Sequence, residues 1–176
     1  MRKKKSIKRE VSEKIDKLTN SIENVITGDI LPTEFHRIRQ AEIKQIRVNE
    51  WIFDWHEEIK GEGKEVYKIT IKGNKDIIQG LLSLSIDNGF VFINLVESAK
   101  FNRGKSKLNL GVLGNMFAYA CRRSKDEGFG GFVVFVAKTV LKEHYEKTLG
   151  AQSINSQRMF IDNHNADKLI NQYYNL

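Results

Sequence analysis

The segment that most limits the fold is Phe132-Val133-Val134-Phe135-Val136-Ala137, a continuous apolar run preceded by Gly130 and Gly131. A run of this length and β-branched content reads as a strand covered on both faces. Upstream, residues 90–96 form another strand-like segment, and between the two lie a loop and a helical apolar pattern over residues 111–125, ending near Gly128. A strand, a long crossover carrying a helix, and a second strand make a βαβ unit with parallel strands. All-helical folds and folds built only from hairpins are thereby excluded.

Around this unit the periodicity places mostly antiparallel strands. Residues 78–86 and 90–96 flank Asp87-Asn88-Gly89, and the Asn-Gly pair suits the positive φ angles of a tight hairpin turn. Residues 35–39 read as a short strand and 41–47 as a short helix. Trp51, Phe53 and Trp55 alternate with Ile52 and Asp54, which predicts a strand paired with residues 66–71 across Lys60-Gly61-Glu62-Gly63-Lys64. A helix over residues 140–148 stops at Gly150, followed by a strand at 158–162 and a helix at 166–174. The expected fold is α+β: a mixed, mostly antiparallel sheet with a central parallel βαβ crossover, flanked by helices.

One further helix is predicted at the start. Ile7, Val11, Ile15, Leu18, Ile22 and Val25 recur in steps of three and four, and Gly28 and Pro32 follow. Residues 1–30 are therefore read as a basic tip plus an N-terminal amphipathic helix outside the main core, and residues 31–176 as the domain. The apolar stripe suits packing on its own domain or, alternatively, a homodimer through a second copy.

The formal net charge is +7 over 176 residues, but residues 1–10 carry six basic side chains and one acidic one. The body is thus close to neutral, unlike a compact nucleic-acid-binding domain, and the basic tip is a separate question. No apolar stretch reaches the ~18 residues of a membrane span, and no apolar core of a signal peptide follows the tip. A single cysteine, Cys121, sits in an apolar helix as a buried structural thiol. His36, His56, His144 and His164 are too scattered for a metal motif, so no metal is expected. The expected setting is the reducing cytoplasm.

The chemistry concentrates at Gly111-Val112-Leu113-Gly114-Asn115, a helix start that follows Arg103, Lys105 and Lys107. Free backbone N–H groups and close-approach glycines at a helix start favour a pyrophosphate. Gly104-Lys105-Ser106 is not a Walker A loop, because Ala99 stands where its first glycine belongs. The glycine fingerprint of dinucleotide-binding folds is also missing.

Two segments resemble the GNAT superfamily of N-acetyltransferases. The first runs from Glu97 through Gly104 into Leu108-Asn109-Leu110-Gly111-Val112-Leu113-Gly114-Asn115-Met116-Phe117. The second runs from Lys138 to Tyr145-Glu146-Lys147-Thr148-Leu149-Gly150-Ala151, similar to that superfamily's Asn…Tyr-Glu-Lys-Leu-Gly-Phe helix; His36-Arg37-Ile38-Arg39-Gln40-Ala41 is more loosely similar to its opening strand. Leu108 and Leu113 depart from the Gln/Arg and small-residue positions of the family's acyl-CoA loop, with Lys107 and Gly114 each one residue away. Lys138 stands in place of the usual Asn.

The resemblance implies direct transfer of an acyl group from acetyl-CoA to a primary amine. Tyr145 would protonate the departing thiolate and Glu97 would accept the amine proton. Backbone N–H groups near Leu95 and Val96 would hold the oxyanion, and the cofactor would lie on Lys107, Asn109, Gly111, Val112, Leu113, Gly114, Asn115 and Lys138. The expected partner is an amine-bearing acceptor: a small molecule, a peptide or an aminoacylated RNA. The alternatives are a GNAT-fold CoA-binding or regulatory protein with weak or no catalysis, and a nucleic-acid-associated protein using the basic N-terminus; the membrane is not an expected partner.

Overall fold

A computed structural model describes residues 7–174. The order of the main sheet is β3(Thr33–Ile38), β4(Glu65–Ile71), β5(Gly80–Ile86), β6(Val91–Ser98), β8(Val133–Val136), β10(Arg158–Ile161) and β9(Gln152–Ser153). Every pairing in this seven-stranded sheet is antiparallel except β6 with β8. The expected parallel crossover is therefore present, and α2(Val112–Asp126) lies within it. A smaller three-stranded sheet joins β1(Ile22–Asn24) to β2(Ile30–Leu31) and β7(Asn109–Leu110).

Alternation along the strands splits the core in two. Tyr67, Ile69, Leu82, Leu84, Ile93 and Val96 pack with α2, with α3(Lys142–Leu149) and with α4(Asn163–Tyr174). Val66, Leu81 and Leu95 pack on the other side with Trp51, Trp55 and Ile59. Cys121 is fully buried in the first cluster, where burial pushes its thiol pKa up.

Two sequence expectations fail. Residues 51–55 form no strand; Trp55 instead opens α1(Trp55–Lys60), capped by the Asp54 side chain on the Glu57 N–H. The partner of β4 is β3, in register Phe35↔Ile69. The N–H groups of Ile52 and Phe53 are taken by Glu97 rather than by a ladder.

The N-terminal helix is also absent among the described residues. Residues 7–21 run extended, with Val11 making a parallel bridge to Ala137, and the chain then enters β1. Val11, Ile15 and Ile22 are buried in the main core, so this part of the segment packs on the sheet rather than lying outside the core, while Ile7 and Val25 are exposed. An isolated helix of this length is marginal in water, and here its backbone groups find partners elsewhere. Most of the basic tip, residues 1–6, lies outside the described residues.

Candidate active site

The cleft begins where β6 and β8 stop pairing. Their register ends at Ile93↔Phe135, yet β6 continues to Ser98. Just beyond, the β5–β6 register shifts: Leu84 faces Ile93 but Ser83 faces Leu95, leaving Asn94 as the bulged residue. A bulge bends and twists its strand, which separates the two parallel strands beyond it. The Asn94 amide steadies the bulge by donating to the Ser83 and Ser85 hydroxyls at 3.3 and 2.8 Å.

Gly111 closes one end of this cleft. Its φ of 85° lies in the left-handed region that glycine tolerates, and α2 starts at the next residue. Its N–H donates to Asp16 Oδ1 at 3.1 Å, and Lys107 Nζ reaches Asp16 Oδ2 at 3.1 Å. The helix start thus holds an anionic oxygen, as its dipole and free N–H groups favour. That anion belongs to the chain itself.

The rest of the cleft is filled in the same way. Val11 N–H donates to the Val136 carbonyl at 2.8 Å, and Lys138 N–H donates to the Val11 carbonyl at 2.9 Å. Glu13 accepts from the Ser98 N–H at 2.8 Å and from its hydroxyl at 2.7 Å. The Tyr145 hydroxyl donates to the Glu13 carbonyl, and the Ile15 N–H donates to His144 Nε2 at 2.8 Å. Arg9 forks onto the buried Glu58 carboxylate at 3.0 Å through each terminal nitrogen, and the Thr19 N–H meets the Tyr173 hydroxyl at 3.3 Å. Residues 9–19 therefore form a strap lying between the β6 and β8 ends.

These contacts set the local charge states. Burial pushes the Glu13 carboxyl above its ordinary range, against the Ser98 hydrogen bonds that pull it down. Burial raises the Tyr145 pKa, and nearby Glu13 and Glu10 add to the rise, so the hydroxyl stays protonated. Desolvation and Lys14 lower the His144 pKa, which keeps Nε2 an acceptor.

Of the residues expected from sequence, Tyr145, Gly111, Lys107 and the Lys138 backbone meet at the strap. Val112 and Leu113 line a residual cavity of about 230 Å³ beside it, together with Ser98, Arg103 and Asp16. Gly114 faces Leu18 and Tyr173, where a Cβ would lie 3.0 Å from the Tyr173 ring carbon Cζ. Asn109 turns instead into a buried amide network with Gln79 and Asn102, and the Asn115 amide donates to Thr33 Oγ1 at 3.3 Å. The Lys138 side chain is exposed, whereas Leu95 and Val96 are buried on opposite faces of β6.

Glu97 is 1% exposed and accepts three hydrogen bonds, from Ile52 N–H at 2.8 Å, Phe53 N–H at 3.1 Å and the Trp55 indole at 3.0 Å. Arg103 stands 3.8 Å away. The carboxylate fastens the loop before α1, and that loop borders a second cavity of about 840 Å³. This cavity holds Lys44, Arg47, Lys100 and Arg103 against Glu50 and Asp76, with Trp51 and Phe101 as its aromatic lining. Arg103 borders both cavities.

Sequence reasoning missed Glu13, Asp16, His144 and Asn94. Glu13 and Asp16 lie far from their partners in sequence, and no local spacing marks them. No metal-binding group of histidine, cysteine or carboxylate side chains, and no helix long and apolar enough to cross a membrane, occurs among the described residues.

No family model matches the sequence, and no curated protein matches it. Solved structures do. A GNAT-family acetyltransferase from Staphylococcus aureus Mu50 is 10% identical, covering 74% of this chain and 99% of its own, with a TM-score of 0.51. A putative streptothricin acetyltransferase from Bacillus anthracis, solved with acetyl coenzyme A, is 14% identical at a TM-score of 0.50, covering 74% and 98%. The dodecameric spermidine N-acetyltransferase of Vibrio cholerae is 11% identical at 0.50, covering 74% and 94%. At these identities the likeness is one of fold: this chain has the fold of the GNAT acetyltransferase superfamily.

Proposed function

We propose that the chain is an acetyl-CoA-dependent N-acetyltransferase whose cofactor lies between β6 and β8. One observation carries this reading: an anion-holding helix start and a protonated, buried hydroxyl face the same gap between parting strands. The Asp16 carboxylate on the Gly111 N–H supports the fit, because it is an anionic oxygen held where a phosphate oxygen would be held. Gly111, Lys107 and the β8 edge near Lys138 would hold the cofactor. Bound acetyl-CoA would supply the acetyl group as an activated thioester.

The chain's own residues then divide the work. The Val96 N–H shares a strand edge with the Ser98 N–H, which points into the cleft, and is the oxyanion donor. Tyr145 holds a proton on its hydroxyl for the departing sulfur. Over the whole transfer a C–N bond forms and a C–S bond breaks. The acceptor enters as the neutral amine; Tyr145's proton goes to the sulfur and the proton the amine loses restores the Tyr145 hydroxyl. Glu97, with its three acceptor contacts, acts as a positioning residue for the loop that borders the acceptor side.

The 840 Å³ cavity suits the acceptor. Its four cationic side chains against two carboxylates, over Trp51 and Phe101, favour an amine that also carries a carboxylate or phosphate. A panel of amines assayed for acetyl-CoA-dependent thiol release tests this. Turnover on anionic amines above polyamines of equal length is expected; the reverse order would remove the class assignment.

A second reading is favoured by the strap itself, because the cofactor's hydrogen-bonding groups are already engaged. It holds that the chain is a GNAT-fold regulatory protein with weak or no transfer. Calorimetric binding of acetyl-CoA without thiol release across the panel would support it.

A further inference from the structure

We infer that residues 9–19 are an autoinhibitory strap that competes with CoA for the cleft and must leave for the cofactor to enter. The inference rests on the acetyltransferase reading and adds its regulation. The groups that CoA would need are each occupied. The β6-facing edge of β8, beyond its last pairing with β6, is taken by Val11. The Tyr145 hydroxyl is spent on the Glu13 carbonyl, and the Gly111 N–H and Lys107 are spent on Asp16. CoA presents the same chemistry, amide groups along its pantetheine arm and a pyrophosphate, so strap and cofactor cannot use these partners together.

The strap is held well but not locked. Val11 and Ile15 are buried, and Arg9 anchors one end on Glu58. Two of its carboxylates, Glu13 and Asp16, differ from ordinary core contacts. Burial opposes the Glu13 charge and Glu97 adds to that, while the Ser98 hydrogen bonds and Arg103 favour it, and the Tyr145 hydroxyl lies on the Glu13 carbonyl. The Asp16 side chain is 18% exposed beside a residual cavity of about 230 Å³, open to an incoming anion. A pyrophosphate brings two negative charges to Gly111 and Lys107 where the Asp16 carboxylate brings one, which favours exchange. The departing strap leaves no broken secondary structure behind, since it contributes only a single-residue bridge at Val11.

The test uses the full chain in three forms: wild type, the double variant Glu13→Ala/Asp16→Ala, and Lys17→Ala as a control. Lys17 lies on the strap but pairs outward with Glu23 at 2.9 Å. CoA binding is measured by calorimetry, and hydrogen exchange follows the amides of Val11, Ile15 and Thr19. The double variant is expected to bind CoA at least about tenfold tighter than wild type and Lys17→Ala. CoA is expected to accelerate exchange at these three amides while Val133–Val136 stays protected. Equal affinity in all three forms, with the strap amides protected while CoA is bound, overturns the strap and leaves the acetyltransferase reading standing. Unchanged protection in the double variant also overturns it, because the two carboxylates then do not hold the segment. Free exchange of the strap without CoA binding in any form removes the acetyltransferase reading, and the strap's competition with it.

Discussion

The two faces of β6 are finished in opposite ways. On the side of Val96 and Ser98, a remote part of the same chain fills the cleft and leaves about 230 Å³. On the side of Leu95 and Glu97, the fold leaves an open cavity of about 840 Å³. Both sides use a carboxylate on backbone N–H groups from distant sequence. Glu97 sits on a central strand at 1% exposure, whereas Asp16 sits on an extended segment with its side chain 18% exposed. A buried lock fixes the loop before α1 in the fold, and a partly wet one leaves the strap open to exchange.

The comparison breaks if the two carboxylates cost the same to remove. Glu97→Ala strands two backbone N–H groups and an indole N–H, and should cost about 3 kcal/mol in urea unfolding. Asp16→Ala should cost about 1 kcal/mol, because it strands only the Gly111 N–H while Lys107 reaches water. Equal losses would mean that the strap is as much core as the α1 loop.

Tyr145→Phe sharpens the donor side. The hydroxyl binds the strap and, in the proposed reaction, protonates the leaving group. Turnover should fall about 100-fold while acetyl-CoA binding tightens a few-fold, since the strap has lost a contact. A fall in both kcat and affinity would instead indicate a damaged cleft. Gly111→Ala comes next, at about 2 kcal/mol, because alanine at φ 85° is strained and its Cβ would lie 2.6 Å from the Ser21 carbonyl oxygen. A loss of only about 1 kcal/mol, the backbone strain alone, would show that residues 19–21 yield easily.

The smallest effect is on pH. His144 has a lowered pKa in the docked strap, so its contribution is full above the ordinary value of 6.5 and is lost as pH falls below it. Protonation would turn Nε2 into a donor facing the Ile15 N–H, with Lys14 adding repulsion. Glu13 works the other way: its pKa is raised, so its contribution is present at low pH and lost as pH rises through that raised value. Acidification from pH 7.5 to about 5.5 should therefore speed exchange at the Ile15 amide a few-fold in wild type, after correction for intrinsic rates. In His144→Gln the sign should reverse, and adding Glu13→Gln should flatten it. A persistent acid-driven release in His144→Gln would remove His144 from the strap's hold.

Legibility in the sequence follows the range of the interactions. The β5–β6 hairpin is readable because Asn88-Gly89 sets its turn locally, and the crossover because the apolar run at residues 132–137 needs cover on both faces. Gly111 and Tyr145 are readable through short motifs that the fold brings to one cleft. Trp51, Phe53 and Trp55 mislead because alternation over five residues also fits a loop entering a capped helix, and the Glu97 hydrogen bonds come from a strand far along the chain. The catalytic-base expectation for Glu97 identified a buried acid of structural consequence without its partners.

The sequence alone determined the parallel crossover, the β5–β6 hairpin and the glycine-started helix. These depend on turn chemistry, burial of apolar runs and backbone N–H groups within a few residues of one another. Tertiary structure decided which anion Gly111 meets. The spacing of Val11, Ile15, Leu18 and Ile22 is satisfied equally by a helix face and by an extended strap whose side chains reach the core at intervals. Only the gap between β6 and β8, with Ser98, Tyr145, His144 and Gly111 offering hydrogen bonds along it, selects the strap. Backbone groups satisfied by remote partners release a segment from its local preference, and no local pattern records those partners.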